Sequence, residues 1–289
     1  NSWWCVKRDR TNRYLNDNGD FIYERDKKTY SVRLKQPAWI AKNEEKRISR
    51  IKKTFLVASY IELDNTPIPV SCIDKSAFKD DVYVEYIEIS DGIISIENHA
   101  FSGCTALTDI IIPNSVKSIG EELFAGCLSL EYINLPNSVT SIRRKAFKNC
   151  KGLTSFTIPN GVTSIEEYVF FGCTSLTTII IPNSVKSIAK SAFWGCTSLS
   201  AILVDDGNPI YDSRDNCNAI IETSSNQLIL GCQNTVIPNG VRCIRRLAFV
   251  GCSFLTSINI PNSVIKIESR AFAKCTSLTS IIIPNSVKS

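Results

Sequence analysis

The chain of 289 residues contains no methionine and one histidine, His99. A single imidazole leaves a Cys–His or Ser–His arrangement with no second histidine to draw on, which removes the common nucleophilic and general-base constellations. There are 12 cysteines but no Cys-x-x-Cys spacing, so the zinc patterns built on that spacing are missing as well. No run of about 18 apolar residues occurs, and so no membrane-spanning helix is encoded. The apolar fraction of 44% and charged fraction of 21% argue against disorder. With no methionine, and with an opening NSWWCVKRDR that is no signal peptide, the chain reads as a mature or trimmed piece from which an export signal has been removed. The closing IPNSVKS stops in mid-pattern and is expected to continue.

The formal charge of +5 is divided unevenly. Residues 1–60 carry a net +8 and residues 61–289 a net −3. A basic segment can bind nucleic acid or an anionic surface, but here the bases are mixed with acids, as in KNEEKRISRIKK (42–53), in the manner of a solvated face. No nucleic-acid partner is expected from it. Aromatic residues alternate in DFIYERDKKTYSVRL (20–34), which predicts a hairpin turning near Asp26-Lys27. Residues 1–60 are therefore expected to form a small basic cap. NDNGD (16–20) and DDGN (205–208) lack the spacing and final glutamate of a calcium loop and are read as turns.

What the sequence has in abundance is a repeat. Cysteines fall at 104, 127, 150, 173 and 196, and prolines at 113, 136, 159 and 182, each at intervals of 23. Pro238, Pro261 and Pro284 resume the pattern with Cys252 and Cys275. The frame extends back through a unit at 84–106 to a worn one at 61–83, which keeps Ala77 and Phe78 but has Asp81 in the cysteine column. Nine units fill residues 61 to 277, with an enlarged irregular one at 199–231 and a partial tenth. In LTDIIIPNSVKSIGEELFAGCLS (107–129), Ile110 and Ile112 alternate as on a short strand with one buried face. Pro113-Asn114-Ser115 makes a turn, and Val116 and Ile119 point inward from an extended or irregular piece. Residues 120–127 are predicted to make one or two helical turns, with Leu123, Phe124 and Cys127 inward. One such unit buries too little to fold alone, so stacking is obligatory and the architecture is a solenoid. Stacked coils would set Arg143-Arg144-Lys145 against Glu121-Glu122 and Glu166-Glu167 as inter-coil pairs.

The pattern L-x-x-I-x-I-P-x-S-V-x-S-I-x-x-x-A-F-x-G-C-x-S over residues 61–289 resembles the BspA-like, or Treponema-type, leucine-rich repeat family. The segment 208–241 also resembles a variant unit of that family. The resemblance implies an α/β leucine-rich-repeat solenoid of 23-residue units, with a parallel sheet on one face and short helices on the other. It further implies an extracellular or cell-surface protein with no enzymatic role, adhering to a host matrix or plasma protein such as fibronectin or fibrinogen, or to a glycan, without a cofactor. Two alternatives remain beside it. One is a structural spacer that presents another domain; the other is a carbohydrate-active enzyme using an unrecognised carboxylate pair such as Glu121/Glu122 or Asp205/Asp206.

Within the frame His99 is ordinary surface, since its column holds Glu122, Lys145, Tyr168, Ser191 and Arg270 elsewhere. The column cysteines should pack as small hydrophobes, because side chains one stacking step apart sit about 5 Å from each other, wide of disulfide geometry. CNAIIETSSNQLILGC (217–232) differs: a hairpin turning at Ser224-Ser225 would set Cys217 opposite Cys232, as a disulfide or a close thiol pair. Two surfaces are candidates for partner binding. One is the sheet column Glu88, Ile111, Asn134, Thr157, Ile180 and Leu203, which carries little charge, beside a Thr/Ser column. The other is Phe171 and Trp194, neighbours on the opposite side, which the enlarged unit either covers or leaves bare.

Overall fold

The computed structural model describes the strands Val6–Arg8, Arg13–Asn16, Phe21–Arg25, Val32–Pro37 and Thr54–Val57, together with residues 59–63 and 66–288. The expected turn at 17–20, the hairpin tip at Asp26-Lys27 and the mixed-charge run 42–53 lie outside the described residues. The rest is a β-solenoid whose coils meet their neighbours along three sides.

The first side is the I-x-I strand. Tyr86–Ile89 pairs in parallel with Asp109–Ile111, and Ser155–Thr157, Thr178–Ile181 and Ala201–Val204 pair successively in the same way. Inward residues such as Ile110 and Ile179 are buried. The ladder starts at Thr54–Val57, whose residues Thr54 and Val57 pair with Tyr86 and Ile89. Proline ends each strand, and the next valine closes the turn, as Val116 N–H donates to Pro113 O at 3.1 Å. Where Ser90 and Asp205 replace the proline, their N–H groups extend the ladder to Val57 O and Ile181 O.

The second side is a two-residue strand where the sequence suggested only an extended piece. Ser118–Ile119, Ser141–Ile142, Ser164–Ile165 and Ser187–Ile188 form a parallel sheet with every isoleucine facing the core. Short as each strand is, register repeats at every coil and accumulates into a sheet.

The third side corrects the expected helices. Residues 120–127 and their equivalents are not helical, and among the described residues the one helical turn is a 3-10 turn at Arg214–Asn216. The cause lies in the backbone: Glu122 has φ 52° and Gly126 φ 77°, both left-handed, and two such residues four apart break α geometry. The donors then alternate. Ala125 N–H bonds within its coil to Glu122 O, whereas Phe124 N–H and Gly126 N–H reach Ala146 O and Lys148 O of the next coil, at 2.8 and 2.7 Å. A helix would direct each to the carbonyl four residues back. This turn ribbon is thus a third inter-coil ladder.

The separate N-terminal cap is also not what the strand pairing gives. Four strands from Val6–Arg8 to Val32–Pro37 run antiparallel in sequence, and the last pairs in parallel with Thr66–Ile73. Thr66–Ile73 in turn pairs with Ser95–Ile96, so the N-terminal strands extend the solenoid's own sheet. In the worn first unit Asp81, in the cysteine column, is buried and its carboxylate accepts Tyr83 N–H and Val84 N–H.

Phenylalanines form the spine of the core. Phe101, Phe124, Phe147, Phe170 and Phe193 stack on one another at centroid distances of 5.3–5.8 Å. The stack stops at Phe193 and resumes with Phe249 and Phe272 at 4.9 Å. Between them lies the enlarged unit. Ala201–Val204 holds its place in the first ladder, and the chain then turns at Asn208, whose side-chain amide donates to Pro182 O and Val185 O of the previous coil. The predicted hairpin is present: Ala219–Glu222 pairs antiparallel with Gln227–Gly231, and the latter pairs in parallel with Cys243–Ile244. The hairpin divides the interior. Ile220 and Cys232 belong to the core of the preceding coils, whereas Cys217, Ala219, Ile221 and Leu228 belong to the core of the following ones. At its end Gly231 N–H donates to Ala248 O at 2.9 Å, the acceptor position that Ala192 offers to Phe170 one stack earlier. Glycine is required there, because a β-carbon would lie 2.2 Å from a ring carbon of Phe249.

Candidate functional site

The cysteine column offers no reactive site. Cys127, Cys150, Cys173 and Cys196 are buried free thiols, and each Sγ donates to the carbonyl of the phenylalanine in the preceding coil, at 3.0–3.2 Å. That carbonyl already accepts the N–H of its own coil's cysteine, so the thiol fills its second lone pair. Burial pushes the Cys127 and Cys173 thiols up to about 12, which keeps them protonated and poor nucleophiles. Cys217 and Cys232 are not joined. The hairpin register pairs Ala219 with Gly231, which sets Cys232 beside Asn218, and the two thiols face opposite cores. Cys217 Sγ donates to Ala219 O and Cys232 Sγ to Asn218 O.

The sheet face carries a row of exposed aliphatics. Ile111, Ile180 and Leu203 are 46%, 38% and 41% exposed, and Thr157 lies in register between them as an exposed neighbour of Ile180. Leu56 continues the row at its N-terminal end, across Glu88 from Ile111. Tyr132, half exposed, stands in the adjacent outward column, beyond what the sequence analysis singled out. The Thr/Ser column beside this row is engaged. The hydroxyls of Thr108, Thr154, Thr177 and Ser200 each donate to a carbonyl 23 residues back, at 2.9–3.2 Å. Those hydroxyls stabilise the stack instead of being held for a ligand.

On the ribbon side Phe171 and Trp194 do meet, edge to face, with ring centroids 5.8 Å apart. The hairpin does not cover them, since it runs inside the core; both rings are half-buried by neighbouring ribbons. Trp194 lies in the wall of a cleft of about 510 Å³, opened where the stack is interrupted. Tyr168, Leu247, Val250 and Ala273 line it together with the cations Lys190, Arg246, Arg270 and Lys274. Lys274 Nζ lies 5.9 Å from the Trp194 ring centroid, within cation–π range. Earlier in the stack the three cations that open the ribbon meet acids: Arg143 meets Glu166 at 3.4 Å, Arg144 meets Glu167 at 3.7 Å and Lys145 meets Glu122 at 2.6 Å. Among the described residues none of the four cleft cations forms an ion pair. The nearby acid, Glu268, accepts Arg246 N–H and pairs with Lys266, and the backbone bond holds its carboxyl below the usual range. The signal was present in the sequence, because the alternation of sign along this row ends at Lys190.

The sequence pattern described as a BspA-type leucine-rich repeat region matches residues 71–200 and 221–289, in six copies. No curated protein matches the chain. Among solved structures, a leucine-rich cell surface protein from Faecalibacterium prausnitzii is 27% identical, with a TM-score of 0.69 over 95% of this chain and 77% of that one. A leucine-rich repeat protein from Eubacterium ventriosum is 20% identical at a TM-score of 0.61, covering 76% of this chain and 61% of its own. The pneumococcal vaccine antigen PcpA is 18% identical at a TM-score of 0.60, over 100% of this chain and 72% of that one. The last two share the fold. Among the described residues no helix is long and apolar enough to cross a membrane.

Proposed function

The chain belongs to the BspA-type leucine-rich repeat family, repeat proteins of the bacterial surface-protein type, and from that premise we propose that it is a non-enzymatic adhesion module held outside the cell, binding a host matrix or plasma protein on its sheet face. The observation that carries this reading is a pair of short exposed apolar strips in one outward column, Leu56 and Ile111 flanking Glu88 on one three-stranded parallel sheet, and Ile180 with Leu203 on the next. Strips of this kind, rimmed by polar residues, mark interaction surfaces. The test is surface plasmon resonance against immobilised fibronectin, fibrinogen and other matrix proteins, comparing the unaltered chain with an Ile180→Glu, Leu203→Glu variant. Binding that falls by about tenfold or more in the variant supports the face as the contact; binding that is unchanged removes it.

The engaged Thr and Ser hydroxyls favour a second reading, a stiff spacer that presents another domain. Absence of binding to any matrix protein, with the fold intact, supports the spacer.

A further inference from the structure

The cleft beside Trp194 has no part in the sheet-face reading, and its chemistry is different. Three facts set it apart from the rest of the ribbon side. Its cations form no ion pair, and three of them, Lys190, Arg246 and Arg270, stand in the columns where Arg144 and Lys145 are matched by acids. They come from three ribbons, Lys190 from one, Arg246 from the next and Arg270 with Lys274 from the third. Since parallel backbones stack about 4.8 Å apart, that spreads positive charge over roughly 10 Å along the solenoid axis. Finally, the floor between them is apolar, made by Trp194, Leu247 and Val250, all half-buried.

We propose that this cleft binds an acidic glycan chain, one whose sugar rings carry sulfate or carboxylate groups. Charge spread along an axis matches anions repeated along a polymer better than a single phosphate, which is gripped by donors converging on a point. The floor decides among polymers. A pyranose presents a face of C–H groups that packs on an indole and on Leu247 or Val250 alike, while its acidic substituents project to the sides, where the cations stand. Nucleobases stack on open aromatic faces. Of the two aromatic rings here, Tyr168 has Arg144 at 5.8 Å and Phe171 at 5.7 Å, and Trp194 has Lys274 at 5.9 Å, so they do not offer the succession of open faces on which neighbouring bases stack. An acidic peptide brings carboxylates without a broad apolar face. Leu247 adds to the floor as an aliphatic residue, held at φ 66°, in a column where other coils place His99, Glu122, Lys145, Tyr168, Ser191 and Arg270.

The experiment is titration calorimetry of the whole chain with a sulfated glucosamine–uronate hexasaccharide, a hyaluronan hexasaccharide that carries carboxylates alone, a neutral glucan of the same length, single-stranded DNA and polyglutamate. An acidic hexasaccharide is expected to bind and the neutral glucan not; sulfated against carboxylate probes tells which anion is preferred. Lys190→Glu with Arg270→Glu, both exposed, should weaken binding by about tenfold or more, and Trp194→Ala by about fivefold at an unchanged melting temperature. Arg143→Glu, outside the cleft, should leave the affinity unaltered. If Trp194→Ala impairs folding, the exposed charge pair alone decides. The proposal is overturned if neither acidic sugar binds at low salt, if the charge reversals leave binding intact, or if DNA or polyglutamate binds as tightly as the better sugar. Matrix-protein binding on the sheet face is measured separately with the same variants, so either reading can fail without the other.

Discussion

The coils from residue 107 to 196 and the segment from 199 to 252 are built from the same columns, yet they differ in what those columns leave over. In the regular coils a neighbour one step away meets most demands, the buried Ser184 hydroxyl being an exception. Thiols meet phenylalanine carbonyls, Thr hydroxyls meet strand carbonyls, and cations meet acids. At the interruption the neighbour is missing or displaced. Gly231 stands where the phenylalanine stack would continue, and Lys190, Arg246, Arg270 and Lys274 line a cleft unpaired. Regularity satisfies side chains and thereby hides them; a break in it makes them available to something else.

The contrast can be broken first at the phenylalanine spine. Phe124→Ala, which removes a ring stacked on both sides, should cost about 3–5 kcal/mol in denaturant unfolding. Phe193→Ala should cost measurably less, because its ring has one stacked neighbour, Phe170. Equal costs would mean that the hairpin supports Phe193 as well as another ring does.

Next comes the wedge itself. Gly231→Ala drives a methyl into Phe249 and should destabilise by about 1–3 kcal/mol, with part of the loss restored by adding Phe249→Leu. A neutral Gly231→Ala would show that the hairpin end is loose.

The thiols separate the two regions by pH. Burial raises the folded-state value of Cys127 to about 12 from an ordinary 9.0, and that of Cys217 to about 11. A raised value means that stability is complete below the unfolded value and is lost as pH climbs through the folded one. Thiolate absorbance should therefore appear at Cys217 before the column thiols, and Cys127→Ala should lessen the loss of stability above pH 9.0.

The smallest effect is expected at the surface. Lys145 holds the Glu122 carboxyl below its ordinary 4.5, so this pair stabilises above that value and its contribution fades as pH falls through the lower folded value. Lys145→Ala should cost about 1 kcal/mol or less near neutrality, and less still in acid. Lys190→Ala, with no pair to lose, should cost nothing that thermal melting detects.

The coil spacing, the buried columns, the proline turns and the meeting of Phe171 with Trp194 could all be read from sequence, because each is a property of one residue repeated at a fixed interval. The ribbon geometry was hidden for a different reason. Leu123, Phe124 and Cys127 fall inward in an α-helix and in a chain of turns alike, and only the left-handed backbone at Glu122 and Gly126 separates the two. The hairpin was legible but its register was not: a shift of one residue decides whether Cys232 faces Cys217 or Asn218. The cleft depends on where the hairpin lies, inside the core instead of over Trp194, and no local pattern encodes that placement.

The hairpin bonds to each stack through its own short pairings, so neither stack depends on how many coils the other has. Excising residues 107–129 would bring Leu130 into the place of Leu107 with every column still aligned. Such an excision would shorten the arm by about 4.8 Å and leave the surroundings of Trp194 as they are. The reach of the molecule and the make-up of its cleft are therefore independent variables, the first adjustable by duplication or loss of whole coils while the second stays constant.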